Sequence, residues 1–371
     1  MKKTRITPTL GFAASLVLAA RAFSATIVLT GGSCIDRAGV ATPECIVVVA
    51  KDSVVAMPRS AMRSIPRADE TIDVTGRWIV PGFVDNHVHL GRIRADPEIW
   101  IRAGVTTLVD NGSRAPGAEL SRRYRSGPGI EPCGLIITEA GGYPAVGQKD
   151  APALQVYGSA DAERKTSEFI ERAHPACIKI AIERGFLQDL DDQGWPALDA
   201  REVAAIVHVA HARHLSVRAH VTQRHEFDLA VDAGVDVIAH SPIEPLPDAS
   251  LLRAVRRHVI IVTTVALWPE GSMRSAAIGN LVRYARIGGA IAIGSDYPNW
   301  NTPGLPIAEL RALRAAGLTP AQLLTALTRH TVPARSDRAD LVVLRRDPRA
   351  SIEALREVVM VIRNGVIVVR K

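Results

Sequence analysis

The chain has 371 residues, 47% of them hydrophobic, which is enough to bury the core of one α/β domain with a small accessory unit. Its formal net charge is +7, but the arginines are scattered along the chain and only 4% of the residues are aromatic. Nucleic-acid binding needs clustered basic residues, and single-strand binding needs aromatic platforms, so we predict a small-molecule partner and no nucleic acid.

The first 24 residues are typical of a secretory signal peptide. Basic residues precede an apolar run over residues 10–20, and small residues such as Ala22 and Ala25 follow it. The run is far shorter than the roughly 20 residues that span a bilayer, and Arg21 interrupts it. We therefore expect residues 1–24 to be removed on export, which implies a periplasmic protein with no membrane contact after cleavage.

Short β segments are predicted at both ends of the remaining chain. They cover residues 26–29, 46–50, 53–56, 71–74, 339–344 and 358–369, the last with a turn at Asn364-Gly365. We predict a small β-sandwich assembled from residues 26–78 and 338–371. Cys34 and Cys45 are near enough in sequence to bridge a hairpin there, but sequence alone does not establish their geometry.

Between these ends, apolar strand-like runs alternate with helical patterns eight times. The runs cover residues 79–84, 106–109, 134–138, 177–182, 215–221, 236–239, 259–265 and 290–293. The clearest helix start is at Asp199, because Glu202 follows at the capping-box spacing. Eight right-handed βαβ units give a closed parallel barrel, so we predict a (β/α)₈ barrel over residues 79–337. An open doubly wound sheet is the alternative, but no glycine-rich phosphate loop follows the first strand.

Metal-ligand side chains stand at the ends of several of these runs, and the carboxyl ends of barrel strands form one rim. These residues are His87 and His89 after the first run, Lys179 in the fourth, His220 and His240 at the fifth and sixth, and Asp296 after the eighth. His87 and His89 are two positions apart, so in a strand both imidazoles face the same side and can reach one cation. Each histidine alone could be a buried core residue, but the whole set indicates a metal site.

Lys179 lies in an otherwise apolar strand of a chain in which lysine is scarce. A buried ammonium group is costly unless it is paired or chemically changed. Beside two cations, its neutral amine can take up carbon dioxide to form a carbamate whose two oxygens bridge the metals. The alternative is a lysine that reaches solvent from the strand end.

In this order, the six residues resemble the metal site of the amidohydrolase superfamily, in particular its binuclear members with a carboxylated lysine. The segments 76–85, 104–107 and 338–344 are also similar to that family, and the likeness spans nearly all of the mature chain. The nearest similarity is to imidazolonepropionase-like and prolidase-like members. The resemblance implies two divalent metal ions, with zinc expected. It places His87, His89 and Asp296 on the more buried ion, His220 and His240 on the second, and an N-carboxylated Lys179 between them.

The resemblance also implies catalytic roles. A metal-bridging hydroxide would be the nucleophile, and Asp296 would be its general base and acid. Tyr143 stands in Gly141-Gly142-Tyr143, where prolidase-like relatives often have Gly-Gly-His. Its hydroxyl could bond the substrate carbonyl or oxyanion, or its ring could only pack. Three arginines near the rim are weaker candidates for binding a substrate carboxylate, namely Arg184, Arg218 and Arg224.

We therefore predict an enzyme, a metal-dependent hydrolase that cleaves a C–N amide or peptide-like bond in a dipeptide, an N-acyl amino acid or a cyclic amide. The same hydroxide would attack a lactone or an organophosphate ester, which is the alternative. A mononuclear deaminase is less favoured, because Gln223 stands where deaminases have a glutamate. The sequence leaves open the substrate and whether the chain forms a homo-oligomer.

Overall fold

The computed structural model describes residues 26–51, 53–91, 95–146, 151–185, 194–299, 302–332 and 339–371. The signal peptide predicted for residues 1–24 lies outside these ranges. Among the helices within them, none has the length and hydrophobicity that crossing a bilayer requires.

The strands, in chain order, are β1 (Thr26–Ile35), β2 (Ala41–Ala50), β3 (Ser53–Pro58), β4 (Glu70–Asp73), β5 (Trp78–Pro81), β6 (Phe83–Val88), β7 (Val105–Asp110), β8 (Gly129–Pro132), β9 (Ile136–Glu139), β10 (Ala153–Val156), β11 (Ile178–Ala181), β12 (Val217–His220), β13 (Val237–Ile238), β14 (Ile260–Val262), β15 (Ala290–Ala292), β16 (Leu341–Leu344), β17 (Val358–Arg363) and β18 (Val366–Arg370). The α-helices are α1 (Glu98–Arg102), α2 (Gly117–Arg123), α3 (Gly158–Ala173), α4 (Ala200–His211), α5 (Arg224–Asp232), α6 (Asp248–Arg256), α7 (Ser272–Arg286), α8 (Ile307–Ala315) and α9 (Pro320–Leu327).

Both ends of the chain contribute to one mixed sheet. In the described residues its order is β18-β17-β16-β5-β1-β2-β3, and β4 pairs with β1. The C-terminal strand β16 runs antiparallel to β5, with Leu341 opposite Pro81 and Leu344 opposite Trp78. Cys34 and Cys45 are joined by a disulfide between β1 and β2. Strands from both ends of the chain therefore lie in one sheet.

The central strands form parallel sheets, which gives the molecule a mixed α/β fold. Within the described ranges, one sheet has the order β6-β7-β8 and the other β10-β9-β11-β12-β13-β14-β15. Hydrogen bonds join the two sheets at both sides. Asn86 donates its backbone N–H to Ile293 O at 2.9 Å beside β15, and Ala176 donates its backbone N–H to Pro132 O of β8 at 2.8 Å. The strand ends of both sheets are thereby brought to one region.

One predicted run is divided in the structure, and another is preceded by a strand that was not predicted. The run over residues 79–84 contains the end of β5 and the start of β6, because β5 pairs with β16 whereas β6 pairs with β7. Gly82 stands at the break, and a Cβ there would collide with the side chain of Thr106. The predicted run over 134–138 overlaps β9, and the strand before it, β8, was not predicted.

The helix α4 begins as the sequence predicts. The Asp199 side chain accepts the backbone N–H groups of Arg201 and Glu202, both at 2.8 Å, and Glu202 Oε2 accepts the backbone N–H of Asp199 at 2.8 Å. The predicted apolar face, which includes Val203 and Ile206, is buried in the main hydrophobic core. This capping box and apolar face set where the helix starts and which side packs inward.

Candidate metal centre

The six predicted ligand residues come from strands of the parallel sheets or from the residues just after them. His87 lies in β6 and His89 follows it, Lys179 lies in β11, His220 ends β12, His240 follows β13, and Asp296 follows β15. All of them are buried except His89, whose side chain is 14% exposed. The parallel arrangement therefore gathers residues that are far apart in the sequence.

Three of these side chains bring their donor atoms together. His87 Nε2 and His89 Nε2 are 3.3 Å apart, and Asp296 Oδ1 lies 3.5 Å from the first and 3.1 Å from the second. Among the residues that the structure describes, these three form a group whose ligand atoms all lie within 4.8 Å of one another. Two imidazoles and one carboxylate at this spacing suit a divalent first-row cation.

The other two histidines extend this group. The ring of His240 is centred 4.5 Å from the ring of His87 and 4.7 Å from the ring of His220. His220 also stacks on the ring of Tyr143, with 4.7 Å between centroids and 30° between the ring planes. The structure thus places the ring of Tyr143 at the edge of the histidine group.

Hydrogen bonds hold one nitrogen of each buried imidazole. His87 Nδ1 lies 2.9 Å from the carbonyl oxygen of Ala239, which can only accept, so Nδ1 carries the hydrogen and Nε2 keeps its lone pair. His240 Nδ1 lies 2.9 Å from Thr264 Oγ1. Burial holds the pKa of both His87 and His240 well below the usual value, so each ring is neutral. A neutral, oriented imidazole is the form that binds a cation.

Lys179 is 1% exposed, and in the described part of the chain its Nζ has no hydrogen-bond partner. Burial first, and the charge of Arg218 second, hold the pKa of Lys179 well below its ordinary value. A buried amine without a partner is an unsatisfied polar group unless something further binds or modifies it. The side chains present therefore fit the metal ions and the carbamate that the resemblance implies.

Comparison with protein-family models and with curated protein sequences finds no match for this chain. Solved structures do match over nearly the whole chain. A Xaa-Pro dipeptidase with methionine bound in its active site is 19% identical, with a TM-score of 0.76 over 92% of this chain and 99% of that one. An amidohydrolase is 20% identical, with a TM-score of 0.74 over 93% and 99%. The ochratoxinase of A. niger is 17% identical, with a TM-score of 0.77 over 92% and 95%.

The chain has the fold of the prolidase-like amidohydrolases. The resemblance to this family that the sequence indicates is therefore confirmed for the fold.

The position of Asp296 in this prolidase-like fold is fixed by its backbone and by its neighbours. Its φ is 56°, and its N–H donates to His87 O at 2.8 Å. The preceding residue, Ser295, donates its hydroxyl to Asp85 Oδ2 at 2.6 Å. Burial raises the pKa of Asp85 to about 6. Asp85 therefore anchors the turn that carries Asp296 to the histidines.

One of the three arginine candidates is wrong. The side chain of Arg218 is fully buried and donates to Asn111 Oδ1, Thr331 Oγ1 and Asn86 O. A guanidinium group held in this way is part of the interior and does not face a substrate. The other two, Arg184 and Arg224, are exposed.

Sequence reasoning missed several residues that hold the site. Asp85 and Thr264 act through the hydrogen bonds described above, and Glu183 places Oε2 3.2 Å from His220 Nε2. Trp195 stacks on Tyr143, with 6.0 Å between centroids and 10° between the ring planes. Glu183 had one usable signal, since it is the charged residue that directly follows the predicted run over residues 177–182.

Proposed function

We propose that this chain is a metal-dependent hydrolase that cleaves a C–N amide or peptide-like bond in a small molecule. The observation that carries the proposal is the convergence of His87, His89 and Asp296 donor atoms within 4.8 Å of one another. Two further buried histidines and a buried lysine beside them support it. The fold shared with a Xaa-Pro dipeptidase also supports it.

His87, His89 and Asp296 would hold the more buried divalent ion, and His220 and His240 would hold the second. Lys179, carboxylated on Nζ, would lie between them. We propose zinc, because imidazole and carboxylate donors suit it. When bound, such ions polarise a carbonyl group and lower the pKa of water towards neutrality.

The chain's own side chains would then position the substrate and move the proton. Asp296 would accept a proton from the attacking water and pass it to the departing nitrogen. The hydroxyl of Tyr143, whose ring stacks on His220, would donate a hydrogen bond to the carbonyl oxygen as negative charge develops on it. Burial of the histidines would exclude competing water from this region.

We also propose the finer architecture predicted from the sequence. The hydrogen bonds from β6 to the β15 side and from Ala176 to β8 support closure of the parallel strands into a (β/α)₈ barrel over residues 79–337. The mixed sheet supports a β-sandwich unit from residues 26–78 and 338–371. Export by a signal peptide over residues 1–24, a periplasmic location and homo-oligomer formation remain proposals of the same kind.

Metal analysis together with a substrate screen tests the function. Purified protein is assayed for metal content and tested on dipeptides, N-acyl amino acids, cyclic amides, lactones and organophosphate esters. We expect two divalent ions per chain and turnover of an amide or dipeptide. Turnover of lactones or phosphate esters alone would favour the ester-hydrolase alternative, and ammonia release from a nucleobase would favour deamination.

Lys179→Ala tests the proposed bridge between the two ions. We expect the variant to bind one ion in place of two, because the carbamate can no longer form, and to lose turnover by at least about tenfold. Metal content per folded chain, measured by elemental analysis, is the readout. A variant with two ions and wild-type turnover would contradict the role given to Lys179.

A further inference from the structure

Glu183 lies two residues after the end of β11 and is 1% exposed. Its Oε2 accepts the hydroxyl of Thr222 at 2.7 Å and lies 3.2 Å from His220 Nε2. Its Oε1 accepts the backbone N–H of Gly185 at 2.8 Å. Both carboxylate oxygens are therefore engaged, and Glu183 is neither a proposed metal ligand nor a proposed proton carrier.

The carboxylate decides which nitrogen of His220 carries the hydrogen. A carboxylate offers only acceptor sites, so a ring nitrogen that faces it must donate. Nε2 of His220 is that nitrogen, and in the neutral ring the lone pair then lies on Nδ1. In His87 the arrangement is reversed, because Ala239 O engages Nδ1 and Nε2 is left with the lone pair. The two histidines are thus held in opposite tautomers.

The backbone next to Glu183 also supports the aromatic rings that pack on the face of His220. Tyr143 stacks on His220, and Trp195 stacks on Tyr143. The backbone N–H of Trp195 donates to the carbonyl oxygen of Arg184 at 3.2 Å, next to Glu183. Glu183 therefore contacts the edge of the His220 imidazole, and Tyr143 stacks on its face. Trp195, which stacks on Tyr143, is hydrogen-bonded to Arg184, the residue after Glu183.

We propose that Glu183 is a positioning residue that fixes His220 as the Nε2-protonated tautomer and so presents Nδ1 to the second metal ion. The second part of this inference rests on the proposed function. The physical reason is general: a carboxylate that accepts from a ligating imidazole sets its tautomer and orientation and raises its basicity. Loss of such a partner typically weakens metal binding by about 10- to 100-fold.

The tautomer is tested on metal-free protein, so the readout does not depend on activity. Ring-¹⁵N-labelled histidine is introduced, and long-range ¹H–¹⁵N spectra are recorded at pH 8, with His220 assigned from the signals that disappear in His220→Gln. We expect an Nε2-protonated His220 in the wild type and in Glu183→Gln, whose amide oxygen can still accept. We expect Glu183→Leu to shift His220 towards the Nδ1-protonated form.

The consequence for the metal is measured by zinc titration against a chromophoric chelator. In Glu183→Leu we expect the weaker of the two ions to lose about 10- to 100-fold in affinity, whereas the ion at His87 and His89 keeps its affinity. Glu183→Gln should lose less than tenfold. The matched control is Glu202→Leu, which removes another buried carboxylate that caps α4 and should leave both affinities unchanged.

Three results would overturn the inference. These are an Nδ1-protonated His220 in the wild type, an unchanged tautomer in Glu183→Leu, and an equal loss of zinc in Glu202→Leu. The first two leave a two-ion hydrolase intact, so they count against Glu183 alone. If the wild type binds no metal and has no turnover while Glu183→Leu still shifts the tautomer, the proposed function fails, and with it the metal-presenting role. The tautomer assignment then stands.

Discussion

Asp296 has two proposed roles, ligand and proton carrier, that one substitution can separate. We predict that Asp296→Asn keeps its metal but loses about 10²- to 10⁴-fold in kcat, because the amide oxygen remains a donor atom but cannot take up a proton. Asparagine also tolerates the left-handed backbone at this position, where φ is 56°. Steady-state kinetics and metal content on the same sample check this. Wild-type kcat in this variant would show that the proton moves by another route.

Glu309 makes the stability of the protein depend on pH. It is fully buried on α8 and accepts the backbone N–H of Val265 at 2.9 Å, and burial raises its pKa to about 7. The folded state therefore holds the proton at pH values where the unfolded chain, with a pKa near 4.5, has released it. The stabilising contribution of the protonated group is complete below pH 4.5 and is lost as the pH rises to 7.

We predict that Glu309→Gln removes this dependence, since the amide stays neutral. Between pH 5 and pH 8, the free energy of unfolding of the wild type should fall relative to the variant by about 2 kcal/mol. Urea denaturation of both proteins at the two pH values measures the difference. Parallel pH profiles would mean that Glu309 is ionised throughout this range.

The predicted ligand residues could be found from the sequence because they lie in apolar runs, end them or follow them, and strand ends meet on one side of a parallel sheet. The alternation of side chains could also have placed Arg218, which is two positions before His220 and so lies on the same face but deeper. By contrast, the contacts of Glu183 and Thr264 depend on loop geometry. No spacing rule relates them to the histidines that they hold.

At the scale of single elements, the capping box of α4 offers a test that leaves the site untouched. We predict that Asp199→Ala lowers the free energy of unfolding by about 1 kcal/mol, because two backbone N–H groups lose their acceptor. Turnover should be unchanged. Arg201→Ala, a change to an exposed neighbour, is the control and should have an effect below about 0.5 kcal/mol. Equal stability of the two variants in urea would count against the cap.

Several elements could not be delimited from the sequence, for a physical reason. The strands β8 and β10 have four residues each, which is too short for a periodic pattern to stand out. The boundary between β5 and β6 at Gly82 is set by their different partners, β16 and β7. Pairing with a strand from the other end of the chain leaves no local signal, whereas α4 carries its own start signal and apolar face.

At the scale of the whole molecule, the two disulfides should differ in importance. Cys133 and Cys177, which form the second disulfide, are 44 positions apart, and Cys34 and Cys45 are 11 apart. A cross-link restricts the unfolded chain more when it closes a longer loop, so we predict a loss of about 4 kcal/mol for Cys133→Ala/Cys177→Ala and about 3 kcal/mol for Cys34→Ala/Cys45→Ala. Denaturant unfolding of both double variants measures this. The reverse order would show that native packing outweighs loop length.

The pairing of β16 with β5 also affects how the protein is made. While the ribosome is still adding the C-terminal residues, one edge of β5 has no partner, and its backbone groups are open to strands of other nascent chains. The N-terminal half therefore cannot finish folding ahead of the rest, as an independent domain would. A chain truncated before Leu341 should therefore aggregate and be degraded by proteases, and it should not form a smaller active protein.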